Sequence, residues 1–458
     1  MSLPLGPSSP SPFQLMQWIG GPTDYLHTTA GRYGDPFTMR VGVFPPLVMF
    51  SDPQAIQQLF TAEAGSFDAG ASNVALRPTL GVNSLLLLDG ERHQQQRRLL
   101  TPPFHGERMR AYGTLIRRVT EEVMARWQPG KPFSVRSAMQ RISLRVILQA
   151  VFGLHDGARL VRLRQALGDM LDAMSSPLNM ALLLMLPEDW GPWSPRARLQ
   201  THLGAIDALL YAEIRARRER FDPAAGDILS LLLAARDEAG QSMSDIELRD
   251  ELMTLLVAGH ETTATAMAWA FYWIHYLPAV RERLLAELDS LDSDPDSEAI
   301  ARLPYLGAVC SETLRIYPVA LIASPRVARQ RVRIVGRDYE AGARLAANIY
   351  LAHHRPETYP DPECFRPERF LERTFSLYEF LPFGGGTRRC IGMAFALYEM
   401  KLVLATVLLQ RDLNLVQPRL LKPVRRGVTL APPAGLFLVA TGERSASRLL
   451  SRTPSAGQ

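Results

Sequence analysis

The chain of 458 residues has little cysteine: Cys310, Cys364 and Cys390 are its full complement. The spacings are wide and there is no CxxC pair, so neither a zinc ribbon nor a disulfide framework is supported. Such usage fits a reducing compartment. Runs of one charge are also missing. The 51 basic and 46 acidic residues leave a net charge of +5, and no Lys/Arg run exceeds two. A nucleic-acid binder concentrates basic charge in a stripe, so that class is set aside. The mild excess leaves room for a face that meets an acidic protein. Long apolar runs are short too. The N-terminus, MSLPLGPSSPSPF, has no positive region and no apolar core, and reads as neither a signal peptide nor an anchor. The run LNMALLLMLP at 178–187 is too short to span a bilayer. Finally, HETTA is not a zinc HExxH, because Ala264 stands where the second histidine would be. These absences point to a soluble, cytoplasmic protein.

What is present is a large core. With 47% hydrophobic and 21% charged residues, the chain is globular, and its length allows one big domain or two. Residues 1–20 read as a Pro/Ser-rich segment, 21–443 as a single domain, and 444–458 as a frayed tail. FTMRVGV and LVMFS flank Phe44-Pro45-Pro46 and predict a hairpin. From about 52 to 317 the period is helical. A strand-rich patch follows at 326–350, with turns at Gly336 and Gly342, and the last apolar helix is MAFALYEMKLVLATVLL. The fold class is mainly α with a small β portion.

One helix is unusual. Ser244 and Glu247 fit a capping box and Pro278 is the stop. About 33 residues at ~1.5 Å rise give roughly 50 Å, enough to cross the molecule. Its middle, LLVAGHETTATA, is costly: Gly259 loses about 1 kcal/mol against alanine there. Threonine can bond back to a carbonyl one turn earlier and bend the helix. Close packing at glycine would explain the segment as well.

Cys390 is the sharpest single site. Glycines 384–386 form a loop that brings backbone N–H groups close to one atom. Cys390 is expected to open the final helix, whose N-terminus lowers a thiol pKa. Gly392 leaves room for a large flat group, and Arg388 can neutralise an acid on it. Iron held in haem by one thiolate fits these features. A buried structural cysteine is the plain alternative, but F-x-x-G-x-R-x-C-x-G (Phe383, Gly386, Arg388, Cys390, Gly392) is far more specific than a lone cysteine.

This motif resembles the haem loop of the cytochrome P-450 superfamily, and the resemblance extends over nearly the whole chain. It implies a triangular helical prism with haem b between the long helix and the Cys loop. SETLR matches E-x-x-R, giving Glu312 and Arg315, and FRPERF supplies Arg369, a structural lock behind the haem. HQQQR and SPRVA imply His93, Arg97 and Arg326 as partners of the haem carboxylates. AGHETT resembles the oxygen-side segment: Ala258 and Gly259 leave space for O2, Thr262 holds the bound oxygen, and Glu261 passes protons. His260, about 100° round the helix from Glu261, is expected to face protein or solvent.

The implied activity is a monooxygenase that inserts one oxygen atom from O2 into an apolar substrate by hydroxylation or epoxidation. A pocket for it must be dry. Expected linings are 71–88, the Met-containing region 170–187 (Met170, Met174, Met180, Met185) and 319–323; they provide Leu80, Leu85, Val319, Leu321 and Ile322, with Arg77 as a carboxylate anchor. LLVAGHETTATAMAWAFYWIHYLP resembles more narrowly a branch known from cyanobacteria, associated with fatty acids, hydrocarbons and terpenoids. No flavin or nicotinamide domain fits the remaining length, so electrons come from a ferredoxin or flavodoxin with its reductase. Arg98, Arg108, Arg110, Arg389 and Lys401 are candidates for docking it. A monomer without membrane anchor or nucleic-acid partner is expected. Peroxide-driven or isomerising relatives and non-catalytic haem sensors are the alternatives; the retained Glu261–Thr262 pair argues against them.

Overall fold

The computed structural model describes residues 3–62, 65–106, 108–153, 158–175, 191, 194–222, 225–292 and 294–444. Helices that bear on the site are α1 (Ser11–Gly20), α2 (Pro53–Thr61), α3 (Gly90–Leu100), α4 (Arg108–Met124), α5 (Val135–Phe152), α6 (Pro195–Glu219), α7 (Asp245–Tyr276), α8 (Pro304–Ile316) and α9 (Met393–Gln410). The expected capping box starts α7: the Glu247 N–H donates to the Ser244 hydroxyl at 3.3 Å, and the Ser244 N–H donates to the Glu247 carboxylate at 2.9 Å. The helix stops at Tyr276, and Pro278 begins the next one. Both faces of α7 are apolar along much of its length because it runs through the core, against α5, α6, α8 and α9.

Strands β1 (Phe37–Met39), β2 (Leu47–Phe50), β3 (Phe67–Asp68), β4 (Arg326–Ala328) and β5 (Arg344–Ala347) form one sheet in the order β1-β2-β5-β4-β3. The expected hairpin is present as antiparallel β1–β2, with Phe37 opposite Met49. Its second strand then pairs in parallel with β5, Phe50 opposite Ala347, which joins the two ends of the chain. In the patch at 326–350, Gly336 takes φ +74° in the turn between two further short strands, a conformation that favours glycine.

The boundary drawn at residue 20 is not a structural break. Leu15 and Trp18 of α1 are buried with Tyr25, Leu26, Phe37, Met49 and Tyr350, and the Thr38 N–H donates to the Leu5 carbonyl at 3.0 Å. Residue 444 also belongs to the body, since the Arg444 guanidinium reaches Asp289 and the Leu408 carbonyl. Residues 445–458 lie outside the described residues. Helix α9 is long and apolar enough to cross a membrane. Here its side chains from Phe395 to Leu408 are mostly core; each fully buried large apolar side chain contributes about 1.5–3 kcal/mol.

One acid interrupts that core. Glu399 of α9 is 1% exposed and lies by Ser143 of α5, yet its Oε1 has no hydrogen-bond partner among the described residues. Burial pushes its carboxyl from the ordinary 4.5 up to about 8. The folded form therefore holds a proton that the unfolded chain releases, and stability falls as pH rises from about 4.5 to 8. Glu399→Gln, neutral at every pH, is expected to flatten that part of the stability curve by a few kcal/mol, as urea unfolding between pH 5 and 8 would register; an unchanged slope would refute the assignment.

Candidate functional site

The Cys loop is held from behind by buried charge. In α8, Glu312 and Arg315 are 0% exposed and three residues apart, so they meet on one helix face. Arg315 is bidentate, with Nε to Oε2 at 2.7 Å and Nη2 to Oε1 at 2.8 Å. Arg369 donates to the same Oε1 at 3.1 Å, and the Arg366 N–H at 2.8 Å. One carboxylate cannot satisfy two guanidinium groups, so carbonyls take the remaining donors. Arg315 reaches His353 and Cys364, and Arg369 reaches Pro360, Asp361 and Cys364. His353 carries the connection forward: its Nε2 accepts the Leu381 N–H at 3.0 Å, two residues before Phe383. Burial and Arg315 pull its pKa down to about 3, so it is a neutral acceptor.

From there the loop turns sharply. Gly384 and Gly386 have φ of +65° and +62°, and a Cβ on Gly385 would stand 2.3 Å from the Phe60 ring of α2. The Cys390 N–H donates to the Phe383 carbonyl at 3.0 Å. Cys390 does not open the helix as expected. It precedes α9, which is capped by Gly392 and begins at Met393. The side chain is exposed. Protein nevertheless crowds the thiol, and this burial pushes its pKa up; the Gly392 N–H, Arg97 and Arg389 act the other way without winning. A Cβ on Gly392 would lie 4.0 Å from the sulfur, an ordinary contact distance.

Positive charge gathers beside the thiol. His93 is 3% exposed, and burial, Arg388, Arg97 and Arg326 pull its pKa down to about 4. Burial and Arg388 bring Arg326 down to about 10. Burial likewise lowers Arg97 and Arg388. Asp89 is the acid facing this group, bonded to Arg388 and to the backbone N–H groups of Ala69 and Gly70. Arg388 also donates to the Leu85 and Leu88 carbonyls, so part of its capacity is spent within the protein. Arg97 and Arg326 turn to the carbonyls of Arg389 and Gly385. A groove of about 530 Å³ opens here, lined by His93, Arg97, Arg98, His105 and Thr387 among others. Another, about 280 Å³ at Trp127 and Phe133, shares no residue with the site.

Cations at this density need anions that the protein does not fully supply. Among the described residues, no cluster of three or more His, Cys, Asp and Glu could hold a bare metal ion. A metal on Cys390 must bring its other ligands with it. A flat macrocycle carrying two carboxylates meets both requirements, and the residues fit haem.

Across from the loop, α7 is buried from Leu248 to Leu256 and again from Thr263 to Ile274. Between them Ala258 is exposed, and Val257, Gly259, Glu261 and Thr262 are half-buried. The break falls on the polar stretch picked out in the sequence. The Thr262 hydroxyl donates to the Ala258 carbonyl at 2.6 Å, and Thr263 to Gly259 at 3.0 Å. His260 is 3% exposed, within the protein. Glu261 is engaged by α5: Arg136 donates at 2.9 Å and Gln140 at 2.6 Å.

A single thiol ahead of a core helix, with basic groups for two carboxylates and an open stretch of helix above, defines a haem-thiolate protein. The family model for Cytochrome P450 matches residues 4–439. Cytochrome P450 135B1 of Mycobacterium bovis is 37% identical over 458 residues, covering 98% of this chain and 93% of the relative. Cytochrome P450 137 of Mycobacterium tuberculosis is 34% identical, covering 88% of this chain and 82% of the relative. A solved structure of retinoic acid bound cyanobacterial CYP120A1 has a TM-score of 0.85 at 26% identity, covering 97% of this chain and 100% of its own. The haem domain of cytochrome P450DA has a TM-score of 0.84 at 25% identity, covering 97% and 98%. The chain belongs to the cytochrome P450 family: it is a monooxygenase with haem b as cofactor, using O2, a redox partner and a lipophilic substrate.

Other expected residues are placed differently. Leu321 and Ile322 pack in the N-terminal cluster with Trp18 and Tyr350. Leu80, Leu85 and Val319 are buried, and Arg77 is exposed. Met170 is buried core; Met180 and Met185 lie outside the described residues. Lys401 is half-buried and donates to the Ala301 carbonyl at 2.6 Å. Arg98 and Arg110 have Glu238 and Glu298 as partners. Sequence reading missed Phe60, Asp89, Arg136, Gln140 and His353, which carry no spacing signal of their own. Glu312→Gln would strip the carboxylate from two buried guanidinium groups, and a loss of about 3–5 kcal/mol in urea unfolding is expected; a loss below 1 kcal/mol would contradict the lock.

Proposed function

We propose that this cytochrome P450 hydroxylates or epoxidises a long lipophilic molecule of fatty-acid or terpenoid type. The break in burial at 257–262 of α7 carries the reading, because a core helix opens there on small and hydroxyl-bearing residues. The similar structure bound to retinoic acid, an isoprenoid carboxylic acid, supports the substrate class. Its carboxylate would meet Arg77, which is exposed and able to receive an anion.

When bound, the haem supplies reductive activation of O2 and transfer of one oxygen atom, with Cys390 as its thiolate ligand. His93, Arg97, Arg326 and Arg388 hold its carboxylates, and Phe383, Gly386 and Gly392 shape the thiolate loop. Ala258 and Gly259 leave room beside the metal. The Thr262 hydroxyl, now donating to the Ala258 carbonyl, would be the hydrogen-bond donor on the oxygen side of the haem. Glu261 supplies protons through water after release from Arg136, since its carboxylate is held by that pair. Electrons come from an acidic ferredoxin or flavodoxin docking near Arg98, Arg108, Arg110 and Arg389, where exposed ion pairs of small worth can be exchanged. The protein works as a cytoplasmic monomer.

The ferrous-CO spectrum is expected to show the strongly red-shifted Soret band of a thiolate ligand, and Cys390→Ser to abolish it; retention in the variant would remove Cys390 from its role. Thr262→Ala is expected to consume reductant at a similar rate while releasing severalfold more peroxide per product. Unchanged coupling would instead favour a peroxide-driven reaction.

A further inference from the structure

The N-terminal half of α7 buries two adjacent residues of opposite charge. Arg249 and Asp250 are 6% and 3% exposed. The arginine is shared between two helices. Its Nε donates to Asp207 of α6 at 2.7 Å, and its Nη2 stands 2.7 Å from the same oxygen. Its Nη1 donates to Asp250 at 3.1 Å. One guanidinium thus serves two carboxylates, and the shorter contacts go to α6. The two acids are not equally placed. Asp207 is half-buried and can draw on water, whereas Asp250 is buried with the arginine. Loss of the guanidinium therefore costs most at Asp250.

Asp250 spends its second oxygen on the segment that precedes α3. Its Oδ2 accepts the Asn83 N–H at 2.9 Å and the Asn83 Nδ2 at 3.0 Å. Gly81 turns against it with φ +84°, and a Cβ there would stand 1.9 Å from Oδ1. Ser84 accepts the Thr254 hydroxyl at 2.7 Å. Thr254 lies one turn before Ala258 on the same helix face. The residues after Ser84 therefore run beside the open stretch 257–262, the oxygen side of the haem in the proposed function. On the other side, Arg388 of the Cys loop holds the Leu85 and Leu88 carbonyls and Asp89. Arg92 of α3 donates to the Asn83 Oδ1 at 3.1 Å. Segment 81–89 is thus seated on Asp250 at one end and on Arg388 at the other, and it leads into α3 with His93 and Arg97.

We propose that Asp250 is the positioning residue that seats segment 81–89 on α7, and that Asp207 of α6 sets the strength of this seat by competing for Arg249. When Arg249 turns further toward Asp207, Asp250 is left a buried carboxylate with less positive charge beside it. Such a group is better off in water, and the seat loosens to admit it. When Asp207 withdraws, Arg249 can offer Asp250 its whole fork. The position of α6 is thereby felt, through α7, by residues that flank the site. Among the described residues Asp207 bonds to Arg249 alone, so it has no direct hold on the segment.

Amide hydrogen exchange on the haem-loaded enzyme separates this from a merely structural pair, because the two acids are expected to act in opposite directions. Asp250→Asn should lower the protection of residues 83–89 by about tenfold. Asp207→Asn should raise it by about threefold, the worth of a partly exposed ion pair. The second variant lies outside the core and keeps the proposal testable should the first not fold. Exchange reads the seat without any ligand, so its result stands wherever the oxygen side lies. Ligands of the iron give a further readout. Imidazole is small, whereas the phenyl ring of 4-phenylimidazole extends toward the segment. Asp250→Asn should raise the Kd of 4-phenylimidazole about tenfold and leave that of imidazole unchanged. Unchanged or lowered protection in Asp207→Asn, or an equal rise in both Kd values, would overturn the proposal.

Discussion

The loop that presents Cys390 is only as rigid as the charge buried behind it. Glu312 alone opposes Arg315 and Arg369, so a net positive charge sits where no water reaches. Such a cluster survives because five further guanidinium hydrogen bonds go to backbone carbonyls. The carbonyls come from residues 353–364, a stretch too rich in proline for regular structure. The arginines therefore do for that stretch what a hydrogen-bond ladder does for a sheet. Through His353 the same order reaches Leu381 and the thiolate loop.

A second set of cations has the opposite character. Around His93, Arg97, Arg326 and Arg388 the carbonyls and Asp89 leave charge in excess, and the lowered pKa values register it. The lock is complete within the protein, whereas this group awaits an acidic guest. Both use arginine, and the difference lies in whether the polypeptide itself closes the hydrogen bonds.

Much of this was legible in the sequence, and unevenly so. The capping box, the length of α7 and the β1–β2 hairpin follow from local rules that tertiary packing did not override. Cys390, Glu312 and Arg315 stood out because their spacing is itself the chemistry: three residues on a helix make a bidentate pair. Glu261 was legible as an acid on the right turn, but not its capture by Arg136 and Gln140, which depends on how α5 lies across α7. That Leu321 and Ile322 join the N-terminal cluster was not legible, because apolarity does not say which of two cores a side chain joins. Glu399 was invisible as a buried acid, because nothing in a helical sequence announces that a glutamate will face the core.

The parallel pairing of β2 with β5 has a consequence for synthesis. Strand β2 leaves the ribosome among the first segments, and its partner follows only when most of the polypeptide has been made. Until then the hairpin presents an unpaired edge beside apolar Val48 and Phe50. Closure of a loop that spans most of the chain must come late and is entropically slow. The helical body can collapse as it emerges, but the N-terminal helix waits on the last third of the protein before it has a core to join. Nascent chains stalled before residue 344 would thus carry the exposed edge that chaperones exist to cover.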